Sequence, residues 1–142
     1  MKTDPVKLLN EFKEIDESLK EKLDVLYRAK IIDYEHVDTY YNELIVIIFK
    51  NHAMAYTDMI IADRIAEDCV LDDNNMRVAK DIVLKSATLS VLGHSLSDIS
   101  EKLEVNIEEI RYACDILSIK PNEIGGDTNA VICGEEKISP LN

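Results

Sequence analysis

The stretch that decides the fold of the C-terminal half is residues 95–117, which read SLSDISEKLEVNIEEIRYACDIL. Two short runs with helical spacing follow each other in it, one around Ile99 and one around Ile110. Ser95 and Asn106 stand just before these runs, and both side chains are favourable helix N-caps. The pattern predicts two short helices joined by a tight turn, from about residue 95 to 102 and from about residue 106 to 117.

This stretch resembles the helix-turn-helix unit of bacterial and phage regulators. The resemblance rests on the small Ser100 at the crossing of the two helices, the apolar Val105 in the turn and the cap Asn106. It implies a three-helix unit whose second short helix reads the major groove while neighbouring cations contact phosphates. The residues that would contact DNA in that role are Asn106, Arg111 and Tyr112 for reading and Arg77, Lys80 and Lys85 for phosphates.

Two features depart from the pattern of such units. Glu104 holds the turn position that usually carries Gly, where a left-handed backbone is disfavoured for other residues. In addition, residues 95–117 carry six carboxylates against two cations, Lys102 and Arg111. Because phosphate contacts depend on cations that displace counterions, this charge disfavours DNA as the partner. We therefore expect the unit to be a docking module for a protein partner.

The residues on either side of this unit predict one more helix and a tail. Residues 76–92 keep helical spacing, and the Gly93 that follows them is a typical helix end. Residues 72–75, Asp-Asp-Asn-Asn, mark a break before that helix. Residues 119–142 are expected to form a loose, mostly extended tail.

The N-terminal half begins with a long amphipathic helix. Asp4 followed by Pro5 is a favourable helix start, and the apolar stripe runs from there to about Lys30. Tyrosines, which have an apolar ring and a polar tip, cluster in the same half and are favoured at interfaces. We therefore predict a homodimer interface formed by Leu8, Phe12, Ile15, Leu19, Leu26, Tyr40 and Tyr41.

A second helical pattern begins near Asp33 and continues without a clear break toward Leu71. Within it, residues 44–49 are apolar on every side. This predicts a central helix that neighbouring helices cover all round. His52 lies on the apolar stripe of that helix, so we expect it to be a core histidine.

Composition favours a helical protein of the cytoplasm. The 142 residues include only four Gly and three Pro, which favours long helices over a turn-rich β fold. Three cysteines lie far apart, so neither a disulfide framework nor a paired-cysteine metal site is predicted. No apolar run approaches the roughly 20 residues of a membrane span, so no membrane contact is expected. A net charge of −12 repels phosphate backbones.

The histidines and serines do not form a recognisable catalytic or metal site. His36, His52 and His94 lack Glu-x-x-His or His-x-x-x-His spacing. No serine has a Gly-x-Ser-x-Gly context, and the glycines are too scattered for a phosphate-binding loop. We predict no enzyme activity, no metal and no cofactor.

Together these patterns predict an all-α fold of five to six helices. Residues 1–75 would form a helical body and dimerisation region, residues 76–118 the helix-turn-helix-like unit, and residues 119–142 the tail. The function we expect is that of a small acidic cytoplasmic regulatory or adaptor protein that binds a protein partner, as a homodimer. One alternative is a DNA-binding transcriptional regulator. Another is an acidic nucleic-acid mimic that inhibits a nucleic-acid-binding enzyme.

Overall fold

The computed structural model describes residues 4–68 and 78–123, and within these ranges it contains six α-helices, one short 3₁₀ helix and no β-strand. The expected all-α fold of five to six helices is confirmed. The predicted break at residues 72–75 lies outside the described ranges. The helices are α1 Pro5–Arg28, α2 Tyr34–Lys50, α3 Thr57–Glu67, α4 Lys80–Val91, α5 Leu96–Leu103 and α6 Ile107–Ile116, with the 3₁₀ helix Met54–Tyr56 before α3.

Polar side chains that cap backbone N–H groups fix three helix starts. The Asp4 side chain accepts a hydrogen bond from the Val6 N–H at 3.0 Å. Pro5, the residue after Asp4, is the first residue of α1. Ser95 caps α5, and Asn106 caps α6. The sequence predicts all three caps correctly, because each leaves a local signal in the residue that precedes an apolar run.

The second predicted helix is in fact two helices. α2 ends at Lys50, and His52 takes a left-handed backbone conformation with φ 50°. The Ala53 N–H donates to the Ile48 carbonyl at 2.9 Å and thereby closes the end of α2. The prediction of a core histidine is wrong, because His52 is exposed and its Nδ1 lies 2.7 Å from a carboxylate oxygen of Glu11.

α1 and α2 form an antiparallel hairpin. Phe12 near the start of α1 contacts Phe49 near the end of α2, with ring centroids 5.4 Å apart. At the other end, the rings of Tyr27 and Tyr34 lie 5.7 Å apart. The interior of the hairpin is apolar. Its fully buried side chains include Leu19, Leu23, Leu26 and Ile48.

The central helix is α4, not the segment around residues 44–49. In α2, Val46 and Ile47 remain 59% and 46% exposed, so the prediction that this helix is covered all round is wrong. α4 packs against α1, α3, α5 and α6 instead. The sequence conceals this, because several of its covered positions carry hydroxyl side chains that count as polar. The buried residues of α4 are Val83, Leu84, Ser86, Ala87, Thr88, Leu89 and Ser90.

α3 joins the hairpin to the helices that follow. Its Ile61 and Ile65 belong to the apolar cluster of α1 and α2, whereas its Ala62 belongs to the cluster of Leu89, Ile99 and other residues of α4–α6. Among its neighbouring helices, α3 packs most extensively against α4. Among the described helices, none has the length and apolar character needed to cross a membrane.

Candidate partner-binding surface

The turn between α5 and α6 is short and firmly tied. Glu104 adopts the left-handed conformation that its side chain disfavours, with φ 58° and ψ 42°. The Ser100 hydroxyl donates to the Val105 carbonyl at 2.5 Å, and the half-buried Val105 side chain packs on the core. The Asn106 carboxamide oxygen accepts from the Glu109 N–H at 3.0 Å. These contacts hold α6 at a fixed position relative to α5.

The inner sides of α5 and α6 rest on α4. Leu89 of α4, Ile99 of α5 and Ile110 of α6 are fully buried against one another. Cys114 completes this cluster, and burial raises the pKa of its thiol. A raised pKa favours the protonated thiol, which suits the buried position of Cys114 among apolar side chains.

The outer face of α6 carries the residues that the sequence assigns to reading DNA. Arg111 is the only basic residue of α6, and its Nη1 lies 2.6 Å from Oε2 of Glu123. Its Nε also lies 3.6 Å from Oε2 of Glu108. The half-buried Tyr112 side chain packs against the cluster of Val78, Val83 and Ala113. The guanidinium that would read a base is thus held between two carboxylates.

The remaining residues assigned to DNA have other contacts or fall outside the described ranges. Lys85 lies 3.2 Å from a carboxylate oxygen of Asp63, and Lys80 is half-buried at the first position of α4. The side chain of Asn106 is engaged as the α6 cap. Arg77 lies outside the described residues. Of the side chains assigned to DNA that the structure describes, Arg111 and Lys85 thus contact carboxylates, and Asn106 caps α6.

After α6 the chain folds back along the unit. We call residues 118–123 the return segment. The Asn122 carboxamide donates to the Ser90 carbonyl at 2.8 Å and to the His94 carbonyl at 3.0 Å. Its own carbonyl accepts from the Leu96 N–H at 2.8 Å. The part of the expected loose tail that the structure describes is thus anchored to the end of α4 and the start of α5.

A groove of about 750 Å³ lies between α6 and the return segment. Tyr112, Ile119 and Pro121 supply apolar surface in it, and charged side chains of both signs also line it. The charged lining residues are Glu108, Arg111, Asp115, Lys120 and Glu123. Apolar side chains together with charged ones are the usual composition of a protein-binding surface.

The residues predicted to form a dimer interface mostly lie inside the chain's own core. Ile15, Leu19, Leu26 and Tyr40 are buried between the helices. The Tyr40 hydroxyl donates to Asp68 at 2.7 Å. In this fold the stripe that suggested a contact with a second copy is the packing surface between α1 and its neighbours. Of the seven residues, those that keep more exposure are Leu8, Phe12 and Tyr41, whose hydroxyl donates to Asp16.

A polar cluster that the sequence did not reveal lies around His94, in the turn between α4 and α5. The His94 Nε2 is 2.6 Å from Oδ2 of Asp58, and its Nδ1 is 2.5 Å from Oδ2 of Asp98. Lys22 of α1 lies 2.7 Å from the other oxygen of Asp58, and Lys102 lies 3.4 Å from the other oxygen of Asp98. The spacing of four residues between His94 and Asp98 is a signal that the sequence contains. Asp58 lies 36 residues before His94, so its contact with the ring leaves no such signal in the sequence.

The environment shifts the pKa values of this cluster so that the charged form of each group is favoured. The hydrogen bond to Asp58 raises the pKa of His94 against the opposing effect of burial, and Asp98 raises it further. Burial alone would raise the pKa of Asp58, but the hydrogen bonds from His94 and Lys22 lower it overall. The hydrogen bond from His94 likewise lowers the pKa of Asp98. The cluster therefore favours an imidazolium between two carboxylates.

Among the described residues, no group of three or more histidine, cysteine or acidic side chains is arranged to hold a metal ion. No family model, no curated protein and no solved structure matches the chain.

Proposed function

We propose that this protein is a regulatory or adaptor protein that binds a protein partner through the groove between α6 and the return segment. The observation that carries the proposal is the pairing of Arg111 with Glu123 and Glu108. Because these carboxylates border the face that would approach a phosphate backbone, DNA would meet negative charge there. A polypeptide can instead match the apolar lining residues of the groove with its own apolar side chains and the charged lining residues with charges of either sign.

A DNA-binding transcriptional regulator is the second candidate, and the turn between α5 and α6 favours it. The left-handed Glu104 and the reciprocal cap of Asn106 and Glu109 give α5 and α6 the short connection found in helix-turn-helix units. For DNA reading, Arg111 would have to exchange Glu123 and Glu108 for a base. The charge of the face therefore ranks this candidate below the adaptor.

Fluorescence polarisation with random-sequence duplex DNA, at about 50 mM and about 200 mM salt, separates the two candidates. The adaptor predicts no binding at either salt concentration. Binding that weakens steeply between the two concentrations reports counterion release and would replace the adaptor by the regulator. As a check on the assigned face, Arg111→Ala should then reduce that binding.

A site-specific photo-crosslinker tests the protein-binding surface directly. Placed at Lys120, an exposed residue that lines the groove, it should capture a partner that the same crosslinker at Tyr34 on the hairpin does not capture. The purified partner should then bind Asp115→Lys at a different rate from the unmodified protein, because the substitution reverses a charge that lines the groove. The matched control is Asp38→Lys on α2, which is also exposed. Equal binding to both variants would refute this groove as the binding site.

A further inference from the structure

His94 connects three helices through charged side chains. Its ring lies between Asp58 at the start of α3 and Asp98 of α5. Lys22 extends the chain of contacts to α1 through Asp58, and Lys102 supports Asp98 from within α5. Among the described residues, the charged side chains that contact the imidazole are Asp58 and Asp98, and Lys22 and Lys102 contact these carboxylates in turn. The side chains of His94 and Asp58 are each only 19% exposed, so water has limited access to the contact between them.

The two contacts of the ring depend on its protonation state. A carboxylate only accepts hydrogen bonds, and a neutral imidazole has a single N–H to donate. The imidazolium has two N–H groups, one for each carboxylate. After loss of the proton, one ring nitrogen would point a lone pair at a carboxylate oxygen at 2.5 Å or 2.6 Å. One of the two contacts must then open.

We propose that His94 is a proton-operated latch that holds the turn between α4 and α5, and with it the start of α5, against α1 and α3. In the closed state, an imidazolium donates to Asp58 and Asp98 at the same time. Loss of the proton releases one carboxylate and loosens the start of α5. The apolar contacts of Leu96 and Ile99 with the core persist, so the change is a local opening and not unfolding of the chain.

The direction of the pH dependence follows from the shifts within the cluster. The pKa of His94 is raised in the folded protein, so its stabilising contribution is complete below the pKa of an unfolded histidine. That contribution is lost as the pH rises through the folded pKa. The pKa values of Asp58 and Asp98 are lowered, so their contribution is lost instead as the pH falls through the acidic range. The latch is therefore closed between these limits and opens on the alkaline side.

The latch also bears on the groove beside α6. The carbonyl of His94 accepts a hydrogen bond from the carboxamide of Asn122 in the return segment. Movement of the turn would therefore shift the segment that forms one wall of the groove. This consequence is independent of what the groove binds.

The test follows His94 and the α5 amides in the full-length chain over a pH series. Nuclear magnetic resonance of the imidazole C–H gives the titration midpoint, and hydrogen exchange corrected for its intrinsic pH dependence gives the protection of α5. We expect His94 to titrate at a higher pH than in the urea-unfolded chain, and protection at the start of α5 to fall several-fold through that titration. Asp58→Asn should lower the midpoint and remove the step in protection. His52→Gln, which removes the separate contact with Glu11, should change neither the His94 midpoint nor the step in α5 protection.

Two results would overturn the latch. One is protection of α5 that stays constant while His94 titrates, and the other is a His94 midpoint equal to that of the unfolded chain. Should Asp58→Asn fail to fold, Asp98→Asn removes the second carboxylate of the same ring and carries the same expectation.

Discussion

A left-handed residue ends five of the described helices, and only one of the five residues is glycine. The residue that follows each of them donates its N–H to the carbonyl five positions earlier, as Val105 does to Ser100 at 3.2 Å. Residues other than glycine adopt this conformation at a cost of about 1–2 kcal/mol. The five residues are Lys30, His52, Gly93, Glu104 and Ser118.

Substitution of Glu104 by Gly should stabilise the protein. The exposed Glu104 has φ 58°, so Gly removes backbone strain, and the gain after the added chain entropy should be roughly 0.5–1 kcal/mol. The matched control is Glu101→Gly, which removes the same side chain from an exposed position inside α5. There Gly should cost about 0.5–1 kcal/mol. Urea unfolding of both variants gives the two values, and the expectation fails if they change in the same direction.

The same backbone conformation explains which helix ends the sequence could predict. Gly93 ends α4 where the sequence indicates, because glycine marks a left-handed position. His52 takes that conformation with neither Gly nor Pro nearby, so the helical pattern continues through residues 51–53 without a visible break. The misassignment of His52 to the core follows directly from this missing signal.

At the scale of single elements, the sequence gives the face of a helix that is covered but not what covers it. The stripe on α1 is equally consistent with a second copy of the chain and with α2. The structure places α2 on it, with Leu19 and Leu26 fully buried. Homodimerisation stays a prediction, and exposed apolar residues such as Val6, Leu9 and Val46 are the ones that a contact on the hairpin would have to use.

Two leucines on α1 distinguish packing within the chain from packing against a second copy. Leu19→Ala should lower the free energy of unfolding by about 2–5 kcal/mol, because it leaves a cavity in the core. Leu9→Ala removes the same atoms from a side chain that is 54% exposed. It should therefore change the free energy of unfolding by less than about 0.5 kcal/mol. Urea unfolding at two protein concentrations is the measurement. A loss for Leu19→Ala that depends on protein concentration would instead place this residue between two copies.

At the scale of the whole molecule, the helices share their cores across the boundary that the sequence suggested near residue 75. α3 precedes that boundary, yet it packs most closely on α4, which follows it. Its Ile61 belongs to the apolar cluster of the hairpin, and its Ala62 belongs to the cluster that contains Leu89 and Ile99. Composition and periodicity predict a break at residues 72–75, which lies outside the described ranges. They do not reveal that a helix on one side packs on both groups, because that depends on contacts distant in sequence.

This sharing of α3 predicts a single cooperative unfolding unit. Leu23→Ala in the hairpin should cost about 2–5 kcal/mol and should lower the protection of the slowest-exchanging amides in α6 as much as in α1. Ile99→Ala, in the cluster of α4–α6, should lower the protection of the slowest-exchanging amides in α1 as much as in α6. Val46→Ala, at an exposed position of α2, is the control and should change neither. Native-state hydrogen exchange measures all three. If Leu23→Ala lowers protection in α1 and α2 alone, the hairpin unfolds independently, and α3 does not couple it to the helices that form the groove.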